Sequence, residues 1–360
     1  MSALISPPLS TRKKLAALAG IAMLACLGPA RAGAAELRVV STFSILSDLA
    51  KNVGGDRIAL TTLVGPDGDA HTYEPRPADL KALGAADVIL ANGLQLEGFL
   101  PGLMQASGAR APVAALTDGI TPRLNGEEDH DHDHEGQDED QDHGDVHGGG
   151  QGHEQTHEHE QAHEQAHEHE HEQAHEHGHH HHGKYDPHAW QTVPNARIYV
   201  SNIARAFCAA DRQGCPAYEA NARAYDGKLA ALQAELEAAI AGIPADRRTI
   251  ITPHDAFAYF GQAYGFKFEA PQGMSTDSEA SASGVAALVR QVREEKAAAL
   301  FLENISNPRL VEQISKETGV KVGGKLYSDA LSGPDGPAAT YIDMMRHNVR
   351  TIRDAVLAPR

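Results

Sequence analysis

Residues 127–182 constrain this chain more than any other stretch. Eighteen of its 22 histidines fall there, among Glu, Asp, Gln and Gly. The run has no apolar periodicity and almost nothing to bury, so it cannot offset its own ordering entropy and is expected to be disordered. Any fold must therefore accept a 56-residue excursion and build its core from what lies on either side. The acidity is local too. The run carries 19 acidic and no basic side chains against a net charge of −18 for the whole chain, so the remainder is close to neutral. That balance argues against nucleic acid or an anionic membrane as a partner and points to a cation.

Just after the run comes Tyr185-Asp186-Pro187-His188-Ala189-Trp190, followed by Gln191-Thr192-Val193-Pro194-Asn195-Ala196, a helix-entry sequence. His188 follows a Pro and stands two residues before the only Trp. One histidine held in folded structure next to eighteen on a tether suggests a metal site with its own collecting arm.

The N-terminus reads as a secretory leader over residues 1–34. Arg12, Lys13 and Lys14 form a basic region, Leu15 to Gly28 an apolar one, and Pro29 to Ala34 offers small residues for cleavage. Fourteen apolar residues are too few for a comfortable membrane span. Cys26 raises a lipoprotein alternative, which Met23-Leu24-Ala25 fits less well. Periplasmic export is the expectation. Removing leader and run leaves 270 residues, enough for two compact lobes. The expected division is 35–214 for the first lobe, 215–245 for a long linking helix and 246–360 for the second lobe. Cys208 and Cys215, with six residues between them, are an even count at a helix–helix corner of an exported chain, which favours a disulfide over a thiol metal site.

In chain order, strands are expected at 36–42, 58–64, 88–92 and 112–115, with helices at 43–53, 77–86 and 96–106 between them. After the run come helices at 195–209 and 217–243. Strands at 248–252, 266–270, 298–302 and 321–326 then alternate with helices at 256–264, 285–295, 308–318 and 338–356. This rhythm means α/β lobes of mainly parallel sheet with flanking helices. His71, His254 and Asp329 each fall just past a strand end, and such sheets bind ligands there. Two facing lobes bring His71 and His188 against His254 and Asp329. Three imidazoles and one carboxylate suit tetrahedral Zn²⁺; Mn²⁺ asks for more oxygen and Cu⁺ for sulfur. The fourth histidine outside the run, His347, lies on a helix and reads as structural.

Other motifs carry less. HExxH occurs at 153–157, 163–167 and 171–175, but in a His/Glu/Gln repeat that spacing is close to unavoidable. Gly319 to Lys325 resembles a phosphate loop, yet Leu326 stands where Ser or Thr is needed and the segment runs from helix into strand. A zinc-dependent hydrolase needs an open coordination position and a base, for which Asp255, Glu74 and Glu303 are the available groups.

The segments DAHTYEPRPADL, DPHAWQTVPNA, TPHDAFAYFGQAYGF and LYSDALSGPDGPAATYIDMMRHN together resemble the zinc/manganese class of periplasmic solute-binding proteins of ABC importers. The likeness runs from about residue 36 to 357, and the His-rich insertion is similar to that of the zinc branch. It implies two α/β lobes joined by a rigid long helix, with the metal between them. It also places His71, His188, His254 and Asp329 at the four ligand positions, with water as the alternative to Asp329. Manganese members often carry a carboxylate at the third position; His254 stands there here, which favours zinc. The implied cargo is Zn²⁺ and the implied partners are a membrane permease with its cytoplasmic ATPase, with room for a periplasmic metallochaperone. A monomer without enzymatic activity is expected. A metal buffer without transport accounts for the run but not for two lobes and a cleft.

Overall fold

A computed structural model describes residues 36–125, 184–295 and 297–359. The expected leader with Cys26 and the run at 127–182 with its HExxH matches lie outside the described residues.

The first sheet joins β1 (Leu37–Phe43), β2 (Ile58–Val64), β3 (Val88–Ala91) and β4 (Val113–Ala115) in the order β2-β1-β3-β4, all parallel. The second joins β5 (Thr249–Ile251), β6 (Lys267–Glu269), β7 (Ala299–Glu303) and β8 (Val322–Leu326) as β6-β5-β7-β8, again parallel. The two lobes thus repeat one strand order. Their helices are α1 (Ser44–Gly54), α2 (Pro77–Ala85), α3 (Leu100–Ser107) and α4 (Val193–Ala210) in the first half. In the second half they are α6 (Ala258–Tyr264), α7 (Ala282–Glu295), α8 (Arg309–Thr318) and α9 (Tyr341–Leu357). The crossovers that parallel pairing requires are α1, α2 and α3 in the first sheet and α6, α7 and α8 in the second. The inner strands are the most apolar: Val39, Val40, Val88, Ile89 and Leu90 are all buried, as a strand covered on both faces requires.

Between the lobes in sequence runs α5 (Cys215–Ala241), 27 residues and therefore about 40 Å long. Its buried side chains, Tyr218, Ala222, Tyr225, Leu229, Leu232, Leu236 and Ile240, recur at three- and four-residue steps, so one stripe faces inward. That stripe packs on α1 and α4 of the first half and on α9 of the second. At its start, Cys215 is joined to Cys208 near the end of α4 by a disulfide.

Two helices begin three or more residues later than the sequence pattern suggests. Gly93, Leu94 and Gln95 all adopt positive φ, so the chain turns after β3, and α3 starts at Leu100 rather than 96. Buried Glu97 holds that turn by accepting the N–H groups of Asn92 (2.6 Å) and Gly93 (3.2 Å) and the Thr42 hydroxyl (2.7 Å). Helix α9 starts at Tyr341 rather than 338 because Thr340 caps it, accepting from the Asp343 N–H at 3.1 Å.

Candidate metal centre

Each of the four expected residues leaves a strand end or a turn whose backbone is tied down locally. His71 lies beyond β2, and its N–H donates to Asp69 Oδ1 at 2.9 Å. His188 follows the point where Asn125 and Tyr185 pair in an antiparallel bridge, with the Asp186 N–H donating to the Leu124 carbonyl at 3.0 Å. The described residues on either side of 127–182 are therefore paired close to this residue in sequence. His254 follows β5, where its segment bridges to Gln272. Asp329 follows β8.

These four side chains converge. Asp329 Oδ2 lies 3.1 Å from His71 Nε2, 3.2 Å from His254 Nε2 and 3.7 Å from His188 Nε2, and the His71 and His188 Nε2 atoms are 3.4 Å apart. A tetrahedral ion with bonds of ~2.0–2.1 Å needs ligand atoms ~3.3–3.4 Å apart, since a tetrahedron's edge is about 1.63 times its radius. The observed separations straddle that value. His188, His254 and Asp329 are fully buried, whereas the His71 side chain keeps 5% exposure.

Two of the three rings have a carboxylate behind them. His188 Nδ1 lies 2.7 Å from Asp186 Oδ1, which also accepts the His188 N–H at 2.8 Å. His254 Nδ1 lies 2.5 Å from Glu303 Oε2 as an ion-pair contact out of line for a hydrogen bond; Glu303 Oε1 accepts the His254 backbone N–H at 3.4 Å, and Oε2 accepts the Ser328 hydroxyl at 2.8 Å. At His188, a carboxylate hydrogen-bonded to Nδ1 selects the tautomer that turns the Nε2 lone pair inward and makes that nitrogen more basic.

The electrostatics describe a site built for positive charge. Burial alone lowers the pKa of His188, but Asp329 and Asp186 outweigh it and push it up to about 9. His254 is likewise held well above the ordinary value: burial opposes the shift, and Glu303 and Asp329 overcome it. Burial raises the pKa of Asp329, yet the His254 and His188 rings hold it well below the usual carboxylate range. Asp329 Oδ1 is buried with no hydrogen-bond partner among the described residues. A buried carboxylate with an unpaired oxygen is costly unless a cation neutralises it.

Several contributors were not singled out in the sequence. Asp186 stands two residues before His188, and a carboxylate that close was a local signal open to notice. Glu303, which the sequence offers only as a base for hydrolysis, is instead engaged by His254 and Ser328. Glu74 is exposed on the outer part of the His71 loop, and Asp255 donates its N–H to the Gly273 carbonyl. Asn92 has no sequence signature for its role: its side chain donates to the Pro187 carbonyl at 2.9 Å, one residue before His188, and accepts from Tyr199. His347 on α9 meets the Lys325 carbonyl at 2.9 Å and packs on the Tyr327 ring, a structural placement.

The chain matches, over residues 39–355, the family described as the periplasmic component A of the zinc-uptake complex. It is 30% identical over 319 residues to the iron-binding protein YfeA of Yersinia pestis, covering 89% of this chain and 86% of that one. It is 31% identical over 327 residues to the manganese-binding lipoprotein MntA of Bacillus subtilis, covering 89% and 90%. Among solved structures, the periplasmic zinc-binding protein TroA of Treponema pallidum superposes with a TM-score of 0.70 at 27% identity, covering 90% of this chain and all of that one. Two parallel-sheet lobes with flanking helices are thus shared with a known metal-binding fold, and the chain belongs to the family of periplasmic zinc-uptake component A.

Proposed function

We propose that this chain captures Zn²⁺ in the periplasm, holds it with His71, His188, His254 and Asp329, and delivers it to the membrane permease of an ABC importer driven by a cytoplasmic ATPase. The observation that carries the reading is the convergence of three Nε2 atoms on one carboxylate oxygen at tetrahedral spacing. The donor set is nitrogen-rich, which suits zinc, and imidazole at position 254 supplies a third nitrogen.

Manganese is the second reading, favoured by the naming of relatives such as MntA as manganese-binding. Mn²⁺ prefers an oxygen-rich octahedron, and the four convergent side chains offer carboxylate oxygen only through Asp329. Binding rather than hydrolysis is supported by the engagement of Glu303 with His254 and Ser328, which removes it as a free base. The expected leader supports export, and we take the lobes as 35–214 and 246–360 around the linking segment 215–245. Competitive titration of the metal-free protein tests the metal assignment. The expected result is one tight Zn²⁺ per folded site, in preference to Mn²⁺; tighter binding of Mn²⁺ than of Zn²⁺ overturns it.

A further inference from the structure

Ser328, one residue before Asp329, is fully buried and bonded in three directions. Its carbonyl accepts two side-chain donors from the other half of the molecule, Trp190 Nε1 at 2.9 Å and Gln191 Nε2 at 2.7 Å. Those residues lie two and three positions after His188, in the 3-10 turn Ala189–Gln191. Its hydroxyl donates to Glu303 Oε2 at 2.8 Å, the oxygen that faces His254 Nδ1. A carbonyl has two lone pairs, and here both are used by donors from one short turn. Trp190 is itself anchored: its ring packs against Phe43 and His188, and its carbonyl accepts the Tyr341 hydroxyl at 2.8 Å.

The consequence is positional. Asp329 is supplied by the second sheet and His188 by the first half, so neither local sequence nor sheet register fixes the distance between them. A pair of buried hydrogen bonds ties the peptide next to Asp329 directly to the His188 turn, while the Asp67 N–H to Leu331 carbonyl and Leu331 N–H to Ser44 hydroxyl bonds join the halves two residues farther on. The Ser328 hydroxyl extends the same constraint to His254 through Glu303.

We propose that Ser328 is the junction that registers the ligands of the two lobes, with Gln191 and Trp190 as positioning residues for Asp329 and the Ser328 hydroxyl as the positioning group for His254. The inference rests on the proposed metal-binding reading. It predicts that the junction governs how long the ion stays bound, although none of its groups touches the ion.

The test compares zinc affinity and chelator-driven release in the full chain and in three sets of variants. The double variant Trp190→Phe, Gln191→Met removes both donors while keeping side-chain bulk. It is expected to weaken binding and speed release by about tenfold, the lower end of what losing an outer partner of a ligand costs. Its Co²⁺ complex should keep the intense visible bands of a four-coordinate site, because the ligands remain. Repeated in an Asp329→Asn background, the same pair should change affinity by less than about twofold, as groups acting through one residue lose their effect when it is gone. Ser328→Ala, which removes one hydroxyl, should cost about tenfold and Ser328→Thr should restore binding; it also keeps the test decisive if the double variant folds poorly. Unchanged affinity and release in both the double variant and Ser328→Ala overturn the proposal. So does an undiminished effect in the Asp329→Asn background, which reduces the pair to general stabilisers. Absence of a one-to-one zinc complex in the unaltered protein overturns the proposed function instead, a separate result.

Discussion

The two lobes share a strand order and face each other across one site, yet they fix their histidines by different means. In the first half, His188 is held by Asp186, a neighbour in the same short loop that accepts both its ring Nδ1 and its backbone N–H. In the second half, His254 follows β5, and its partner Glu303 comes from the end of the adjacent strand β7, 49 residues away in sequence. His71, the remaining ring, is the one that keeps some exposure. A local carboxylate makes a self-contained ligand loop. A carboxylate from a neighbouring strand makes the ligand depend on the sheet being correctly paired. The difference teaches that one lobe carries its geometry in a hexapeptide and the other in its topology.

The largest effect should come from the buried ligands. His188→Ala and His254→Ala are each expected to weaken zinc binding by more than about a hundredfold, beyond what loss of an outer partner costs. Competition against a chelator of known affinity measures this. Tight one-to-one binding retained in a His71→Ala, His188→Ala double variant removes the basis for the site.

The carboxylates behind the rings come next. Asp186→Asn and Glu303→Gln should each cost about 10- to 100-fold in affinity. The comparison predicts a split in stability. Compared above about pH 9, where His188 no longer carries its proton, Asp186→Asn should lower metal affinity with little change in the melting of the metal-free protein, because its contacts are local. Glu303→Gln should lower both, because Glu303 also holds Ser328. Equal stability losses in the two variants would erase the local-versus-topological distinction.

The legibility of the molecule follows the same line. The convergence of His71, His188, His254 and Asp329 could be read because each stands at a strand end or turn beside a recognisable motif, and the repeated βαβ rhythm made both sheets legible. The bracing of His254 by Glu303 could not be read, since it depends on β5 lying beside β7 in the strand order β6-β5-β7-β8. The late start of α3 also escaped, because buried Glu97, inside the span that the pattern assigns to a helix, instead holds the turn after β3 by accepting the Asn92 and Gly93 N–H groups. Asn92 was invisible for a related reason: its partners Pro187 and Tyr199 lie 95 and 107 residues away.

A third prediction concerns protons. His188 has a folded pKa of about 9, against a reference value of ~6.5 for an unfolded histidine. A raised pKa means the folded state holds the proton more tightly. The associated stability is fully present below pH ~6.5 and is lost as pH rises through ~9, an effect on the order of 3 kcal/mol. The metal-free protein should therefore melt at progressively lower temperature between pH 6.5 and 9, and zinc loading near pH 7.5 should release protons. A melting temperature flat across that window, with no proton release in paired buffers, contradicts the coupling of His188 to Asp329 and Asp186.

The smallest effect lies farthest from the site. Helix α4, 18 residues and about 27 Å long, separates the His188 loop from the disulfide corner. Reducing the Cys208–Cys215 bond should cost about 2 kcal/mol of stability, read by denaturant unfolding, and leave zinc affinity unchanged. A parallel loss of affinity indicates that the corner does reach the ligand loops.

The most direct test of the central claim is X-ray absorption spectroscopy of the zinc-loaded protein from which residues 127–182 have been removed. The deletion is compatible with the fold because Asn125 and Tyr185 already pair. Removing the run leaves His347 and the three site residues as the chain's histidines. The expected result is one equivalent of zinc in a four-coordinate shell of three imidazole nitrogens and one carboxylate oxygen at ~2.0–2.1 Å. A shell with fewer than three imidazoles, a sulfur ligand, or no bound zinc at all contradicts it.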